Sequence, residues 1–344
     1  MKKRILPLCM CLLILLSGCS YTKITEKSSE RSISFFAMDT YMEFTAYGDD
    51  AKSAITTARD KIADLELLWS VTNENSDIYA INHAEGQAVE VADETAEILK
   101  FTLGMSERTN GALDPTVYPI LSAWGFTAEE NRIPSEDEIS ELLPLVGYKN
   151  VIPNGNTVQL AVGSMLDLGA VGKGYAGDIV VKILRENGIT SAILNLGGNV
   201  QTIGSRPDGS DWRIGLQDPN GNGKIGVIEV SDLAVVTSGA YERYFIGEDG
   251  KKYGHIIDPA TGYPIENDLL SVTVIAKEGK LCDALSTSLF VMGLDRACEY
   301  WRQNQDFDMI LITDSNDIYL TDGISESFTL DSDRGNMKVH VISE

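Results

Sequence analysis

The pattern of hydrophobic and polar positions predicts a helix-rich first half of the chain. Apolar and polar residues roughly alternate over residues 35–47, which indicates a strand. Apolar residues then recur at three- and four-residue spacing over residues 51–69, the pattern of an amphipathic helix. Similar spacing predicts helices over 94–109 and 135–143, with a loop containing proline and glycine over 111–126 between them.

The second half is richer in predicted strands, and turn signals separate them. The strands are expected over residues 191–204, 212–217, 225–230, 233–238, 269–276 and 309–321. Two long helices are expected over 174–187 and 281–303. Antiparallel hairpins with helices packed on one side indicate an α+β fold rather than a doubly wound parallel sheet.

The first residues have the features of an export signal. Lys2, Lys3 and Arg4 precede the apolar residues 5–16, a stretch too short to span a bilayer comfortably. The following Leu-Ser-Gly-Cys ending at Cys19 is similar to a bacterial lipobox. We therefore expect a signal peptide over 1–18 and a lipid (palmitate) anchor on Cys19; the alternative is an ordinary signal with an incidental cysteine.

Residues 19–32 are polar and resemble a flexible tether, so the folded domain is expected over 33–344. This organisation predicts an exported protein, anchored by lipid to the outer face of the cytoplasmic membrane or on the periplasmic side.

The charge balance narrows the classes of partner. The chain has 28 Lys and Arg residues against 51 Asp and Glu, a net charge of −23, while 43% hydrophobic content is ordinary for a folded protein. So acidic a protein is a poor ligand for nucleic acid or for anionic lipid, because both are bound through Lys and Arg. A phosphate-containing substrate would need a cation in the site, such as a divalent metal held by carboxylates.

Glycines at 172, 174 and 177 match the G-x-G-x-x-G dinucleotide fingerprint in form. A true dinucleotide fold needs a second parallel strand that ends in an acidic residue, whereas the strand near 192–196 leads into Gly197-Gly198-Asn199. A glycine loop before a helix still offers free N–H groups to a phosphate. Asp167, just before the loop, is placed to accept hydrogen bonds from a sugar or base.

Residues 218–223 with Glu229 match the expression for an EF-hand calcium loop. An EF-hand needs helices on both sides, but the flanking segments alternate as strands. The segment is therefore expected to be a hairpin turn.

Two further groups carry candidate chemistry. His255 stands in an H-x-x-D-P-x-x-G loop between predicted strands, which favours a general base over a merely structural hydrogen-bonding residue. Asp283, Ser286 and Thr287 share one face of a helix near its predicted start. Their oxygens suit Mg²⁺ or Ca²⁺. The spacing alone nevertheless favours the other interpretation, in which Asp283 or Ser286 caps that helix.

Seven motifs in order resemble the ApbE family of flavin transferases over about residues 35–315. They are Ala37-Met38-Asp39-Thr40, Gly111-Ala112-Leu113-Asp114-Pro115-Thr116-Val117, Asp167 to Ala176, Asn195-Leu196-Gly197-Gly198-Asn199, Ser238-Gly239, His255 to Gly262 and Asp283-Ala284-Leu285-Ser286-Thr287.

The resemblance implies an ApbE-like α+β fold with a tunnelling-fold-like core. It also implies an Mg²⁺-dependent enzyme that takes FAD as substrate. The enzyme would transfer FMN to a Ser or Thr hydroxyl in a flavinylation motif of an exported flavoprotein and release AMP.

The resemblance also implies residue roles. One or two metal ions would be held by Asp283, Thr287 and the Ala170 carbonyl, with Ser286 where many members have a second metal-binding Asp. Lys173 stands where some members have Glu, and Thr72 lies near the position of a flavin-stacking Tyr. The flavin contacts would fall on Met38, Ala112, Leu113, Asp114, Asp167, Lys173 and Ile257.

The substrate hydroxyl needs a base, and His255 is the candidate, with Asp283 or Asp258 as substitutes. Two other functions remain open at this point. One is an FAD pyrophosphatase, in which water replaces the protein hydroxyl and FMN and AMP are released. The other is a flavin-binding lipoprotein without chemistry, although such a protein would need neither the base nor the metal ligands.

Overall fold

A computed structural model describes residues 29–128, 130–221, 223–335 and 337–343. The predicted signal peptide, the predicted lipid anchor at Cys19 and most of the predicted tether lie outside these residues. The first strand begins at Glu30, three residues before the predicted start of the folded domain. None of the helices among the described residues is both long enough and apolar enough to cross a membrane.

The helices of the described residues are α1 (Ala51–Trp69), α2 (Asp77–Asn82), α3 (Asp93–Arg108), α4 (Tyr118–Ala123), α5 (Glu136–Leu142), α6 (Gly172–Glu186), α7 (Gly279–Met292) and α8 (Leu294–Asn304). Short 3₁₀ turns occur at Leu143–Leu145, Tyr148–Asn150, Asp322–Ile324 and Ser332–Arg334.

The strands are β1 (Glu30–Ala37), β2 (Thr40–Tyr47), β3 (Ala88–Glu90), β4 (Val151–Asn154), β5 (Thr157–Leu160), β6 (Ala192–Leu196), β7 (Asn199–Ile203), β8 (Trp212–Gln217), β9 (Lys224–Val230), β10 (Ala234–Gly239), β11 (Tyr244–Ile246), β12 (Lys252–Gly254), β13 (Leu269–Ala276), β14 (Asp308–Thr313), β15 (Asp317–Thr321), β16 (Phe328–Leu330) and β17 (Lys338–Ile342).

A nine-stranded sheet in the order β1-β2-β6-β7-β10-β13-β14-β15-β17 forms the centre of the fold. Its pairings are antiparallel except for β15 with β17, which agrees with the predicted α+β class. Helices α1, α6 and α7 cover one face, and the small sheet β16-β9-β8 covers part of the other. Met309 and Leu311 of β14 therefore join the helical core, while Ile310 and Ile312 pack under the small sheet.

Three predicted strands are in fact hairpins. Residues 35–47 form β1 and β2 around a two-residue turn in which Met38 and Asp39 have φ of 49° and 57°. Both turn residues need positive φ in the turn type that matches strand twist, which Asp tolerates but Met rarely adopts. The pair therefore lacks the usual Asn-Gly or Asp-Gly signal of a hairpin. Residues 191–204 likewise turn at Gly197-Gly198, and 309–321 turns between β14 and β15.

The strands β8 and β9, which flank residues 218–223, pair antiparallel, so the predicted hairpin is confirmed and an EF-hand, which needs flanking helices, is excluded there. The expected single helix over 281–303 is wrong, because Gly293, with φ of 77°, separates α7 from α8. Helix α7 begins at Gly279, so Asp283 lies one turn inside it and does not cap it.

Helices α6 and α7 touch through glycine. A Cβ on Gly174 would come closer than 3.0 Å to the Gly279 backbone, and a Cβ on Gly279 or Gly177 would collide with the buried Gln201 side chain. Gln201 donates a hydrogen bond from Nε2 to the Gly174 carbonyl at 3.1 Å. Gly174 therefore serves helix–helix packing, and Gly177 makes room for Gln201 of β7. The strand after α6, β6, pairs antiparallel with both of its neighbours, which excludes the dinucleotide fold.

The two helices also cap each other. Asp178 of α6 accepts hydrogen bonds from the Gly279 and Lys280 amides at the start of α7. Asp283 of α7 accepts one from the Gly174 amide at the start of α6, at 2.8 Å. Each carboxylate satisfies N–H groups that the first turn of a helix leaves free.

We predict that Gly174→Ala lowers the free energy of unfolding by about 1–3 kcal/mol, because the added methyl group overpacks a backbone contact. Denaturant unfolding of the variant measures the loss. Gly104 in α3 is the matched control, since a Cβ there meets nothing within 4 Å. Gly104→Ala should raise stability by up to about 1 kcal/mol. Equal effects of the two substitutions would contradict the packing role of Gly174.

Candidate active site

A cavity of about 520 Å³ opens where the β1–β2 turn, the β6–β7 turn and the end of β10 meet. It is bounded as well by the loop that follows α3, the loop before α6 and the first half of α7. The predicted site residues that line it are Met38, Ala112, Leu113, Asp114, Asp167, Ala170, Lys173, His255, Ile257, Asp283 and Thr287. Tertiary structure thus brings together residues from nearly the whole length of the domain.

Three residues named in the sequence analysis do not line the cavity. Ser286 is fully buried, and its Oγ lies 2.8 Å from Ser238 Oγ and donates to the Asp283 carbonyl. Thr72 is exposed and contacts Ser70, and the Asp258 carboxylate accepts from the Ala260 amide within its own turn. The structure therefore does not place Ser286 with the other proposed metal ligands.

Asp114 organises the loop on one side of the cavity. Its Oδ1 accepts from the Thr116 amide at 2.8 Å and from Thr116 Oγ1, and its Oδ2 accepts from the Tyr148 amide at 2.7 Å. Burial raises the pKa of the carboxyl group, and these hydrogen bonds act in the opposite direction. Asp114 thereby links the loop after α3 to the 3₁₀ turn at Tyr148–Asn150.

A small aromatic core supports the same wall. The Trp124 indole donates from Nε1 to the Gly262 carbonyl at 2.9 Å, and Phe245 and Tyr253 pack around its ring. Ile257, which lines the cavity, belongs to the same cluster. The predicted loop 111–126 therefore contains α4 and is fixed against the loop that carries His255.

The β1–β2 turn forms the opposite wall. The Met38 amide donates to Glu66 Oε1 in α1 at 2.7 Å, which holds the turn down on the helix. A Cβ on Gly197 would collide with Thr40, so glycine is required where the β6–β7 turn approaches this strand. The Met38 side chain is thereby presented at the cavity from a turn anchored on two sides.

The oxygen groups around Asp283 fit a hard divalent cation. Asp283 and Thr287 are one helical turn apart and both line the cavity, as does Ala170. Asp283 is buried, and no basic group pairs with it within the described residues. Burial raises its pKa, while Lys173 and the Gly174 amide oppose the rise. A bound cation would relieve this uncompensated burial.

The protein supplies only part of a coordination sphere at this point. Within the described ranges, no three His, Cys, Asp or Glu side chains converge on a metal position. A carboxylate, a hydroxyl and a carbonyl leave several positions of an octahedral ion open. Those positions suit phosphate oxygens and water, as in sites where the metal binds together with a substrate phosphate.

Lys173 is the central positive charge of the cavity. Its ammonium group donates to the Gly169 carbonyl at 3.4 Å. Burial raises the pKa values of Asp167, Glu242 and Asp283, and the charge of Lys173 opposes that rise. Asp167 is further held by the Gly169 amide at 2.7 Å. Lys173 thus stands among carboxylates without a close ion pair in the described structure, so its ammonium group is available to an anionic ligand.

His255 has a defined tautomer. Its Nδ1 lies 3.1 Å from the Arg243 carbonyl, and because a carbonyl only accepts, Nδ1 must carry the proton. Nε2 is then the basic nitrogen. Burial lowers the pKa of the ring to about 4, and the charges of Arg243 and Lys173 act in the same direction. The imidazole is therefore neutral at physiological pH and can accept a proton.

Sequence reasoning assigned no role to several other lining residues. Asn199 and Ser238 lie in two of the motifs that resemble the ApbE family, Gly197-Gly198-Asn199 and Ser238-Gly239. Those motifs were the sequence feature that could have marked these two residues as part of the site. Glu242 and Arg243 line the cavity without any local pattern that marks them. Together the residues offer a base, a positive charge and a cation position around one ligand space, a combination suited to phosphoryl chemistry.

Comparison with known proteins gives a consistent result. The ApbE family matches residues 38–311. The "FAD:protein FMN transferase" of Klebsiella pneumoniae is 36% identical over 74% of this chain and 81% of its own length. That of Treponema pallidum is 33% identical, over 75% and 76%. The ApbE protein of Thermotoga maritima superposes with a TM-score of 0.82 at 33% identity, over 87% of this chain and 99% of that one.

We predict that Asp114→Asn destabilises the protein by about 1–3 kcal/mol, because the amide would face the Tyr148 N–H and leave a buried donor unpaired. Urea unfolding measures the loss. Asp208 is the control: it makes the same pair of bonds, to the Ser210 amide and hydroxyl, but in an exposed turn. Asp208→Asn should change stability by less than about 1 kcal/mol. A small effect at both positions would refute the anchoring role of Asp114.

Proposed function

The chain belongs to the ApbE family, and we propose that it transfers FMN from FAD to a Ser or Thr hydroxyl of an exported flavoprotein with the help of Mg²⁺. It is a flavin transferase, like the relatives that it matches over most of their length. The observation that carries the finer proposal is the arrangement of His255, Lys173, Asp283 and Thr287 around one cavity.

The proposed reaction is a displacement at phosphorus. The acceptor hydroxyl attacks the phosphorus that bears riboflavin, a new phosphoester bond forms, and the bond from that phosphorus to the bridging oxygen of the FAD pyrophosphate breaks. AMP leaves with the bridging oxygen, and the hydroxyl proton moves to His255 Nε2. The Nδ1–H bond to the Arg243 carbonyl keeps Nε2 basic and holds the ring in place.

Positive charge has to meet the pyrophosphate in a strongly acidic protein. Lys173 supplies one such charge from the first turn of α6, at the positive end of the dipole of that helix. Asp283, Thr287 and the Ala170 carbonyl would hold the divalent cation. When bound, such an ion neutralises phosphate oxygens and stabilises the leaving group.

The flavin would occupy the part of the cavity between the β1–β2 turn and the Asp114 loop. Met38, Leu113 and Ile257 give that region apolar surface, and the Asp114 bonds keep its backbone fixed. The lipobox at Cys19 supports the further proposal that the enzyme is held on the outer face of the membrane. Its acceptor would then be an exported or membrane-linked flavoprotein.

The function is tested with the chain from about residue 29 on, incubated with FAD, Mg²⁺ and a flavin-acceptor domain. We predict flavin fluorescence that remains on the acceptor after denaturing electrophoresis, with one AMP released per flavin attached. EDTA should abolish labelling and excess Mg²⁺ should restore it, because the protein supplies only part of the ion's ligands. Free FMN and AMP without labelled acceptor would establish the pyrophosphatase instead.

We predict that His255→Ala retains FAD binding but lowers the transfer rate by about 10²–10⁴ fold, the range for loss of a general base. Because the pKa of the ring is about 4, the ring stays neutral until the pH approaches that value. The acid limb of the wild-type kcat/KM profile should therefore lie below pH 6. Single-turnover labelling at a series of FAD concentrations measures the FAD affinity and the transfer rate. The same labelling repeated across pH gives the position of the acid limb.

His83→Ala is the control for this substitution. His83 stacks on Tyr79 and bonds to the Tyr79 carbonyl, and it does not line the cavity. Its loss should leave the transfer rate unchanged. Near wild-type transfer in His255→Ala would remove His255 from the mechanism.

A further inference from the structure

Asn199 is a buried polar residue whose side chain has no partner. Only 1% of it is exposed, and neither Oδ1 nor Nδ2 makes a hydrogen bond. Buried amide groups are almost always paired, because an unpaired one loses its bonds to water without replacement. Among the described residues with such orphaned buried atoms, Asn199 is the one that lines the cavity.

The position of Asn199 is fixed by the sheet. It is the first residue of β7, directly after the Gly197-Gly198 turn, and its backbone pairs with Leu196 on one side and Val236 on the other. The carboxamide lies beside Asp283, whose negative form it favours, although the two side chains do not reach hydrogen-bond geometry. The backbone therefore holds the group at the phosphate and cation end of the cavity.

We propose that Asn199 binds the cation–pyrophosphate unit of the substrate, with Nδ2 donating to a phosphate oxygen and Oδ1 facing the hydrated cation. This inference rests on the proposed function, since that function places FAD in the cavity. A neutral amide suits the position: it offers a phosphate a donor and a cation an acceptor without adding to the negative charge of Asp283.

A residue that is present because it binds a ligand affects both protein stability and ligand affinity. Its orphaned atoms destabilise the ligand-free protein, and the same atoms strengthen binding once the ligand arrives. Replacement by an apolar side chain should therefore act in opposite directions on the two quantities. If a residue only supports the fold, its replacement lowers the stability of the protein and leaves ligand binding unchanged.

The test uses two variants and a non-reacting probe, ADP with Mg²⁺, which carries the pyrophosphate group without the flavin. Asn199→Leu should raise the melting temperature of the ligand-free protein. Asn199→Ala, which cannot block the cavity, should weaken ADP binding by about tenfold to a hundredfold, the loss expected for hydrogen bonds to charged groups. Calorimetric titration and thermal unfolding give the two readouts.

Ser271 provides the matched control. Its hydroxyl is equally buried and without a partner, but it lies on β13 and does not line the cavity. Ser271→Ala should leave ADP affinity unchanged and should not lower the melting temperature.

The outcomes separate this inference from the function. Unchanged ADP affinity in Asn199→Ala, or a lower melting temperature in Asn199→Leu, would overturn the role of Asn199 alone. Failure of the wild-type protein to bind either ADP or FAD with Mg²⁺ would overturn the proposed function itself.

Discussion

The contact between α6 and α7 is the constraint on which the rest of the site depends. The absence of side chains at Gly174 and Gly279 lets the two backbones meet, and Gln201 fills the space beside them. At that distance Asp178 and Asp283 can each reach the free amides at the start of the other helix. The same approach brings Lys173 and Asp283 to one cavity, so the packing of two helices and the composition of the site are a single arrangement.

This arrangement buries negative charge, and the surroundings balance it only in part. Burial raises the pKa values of Asp283, Asp167 and Glu242, and Lys173 is the basic group that opposes the rise at all three. Under the proposed function, a ligand that brings a cation and phosphate oxygens would complete this site. The neutral imidazole of His255, the unpaired amide of Asn199 and the buried carboxylate of Asp283 would then each gain a partner that the free protein does not supply.

Much of the fold could be predicted because its local patterns agree with its tertiary role. The helix Ala51–Trp69 and the strands Trp212–Gln217 and Leu269–Ala276 have the predicted bounds, since an amphipathic face or a short apolar run leaves little choice. The predictions of element boundaries were wrong at short connections between elements. The Met38-Asp39 turn has Met where Asn, Asp or Gly is usual, and Gly293 interrupts an otherwise continuous helical pattern. Such breaks are decided by what the flanking segments pack against.

The sequence by itself determined the α+β class, the acidic charge and the candidate chemistry of His255, Asp283 and Thr287, because residue type and spacing carry that information. It could not determine that Asp283 caps α6 rather than its own helix, or that Ser286 is buried behind Ser238 and does not itself line the cavity. Nor did any local pattern mark Arg243 as the residue whose carbonyl fixes the His255 tautomer. These properties arise between segments far apart in the chain, and only the packed sheet and helices bring those segments within hydrogen-bond distance.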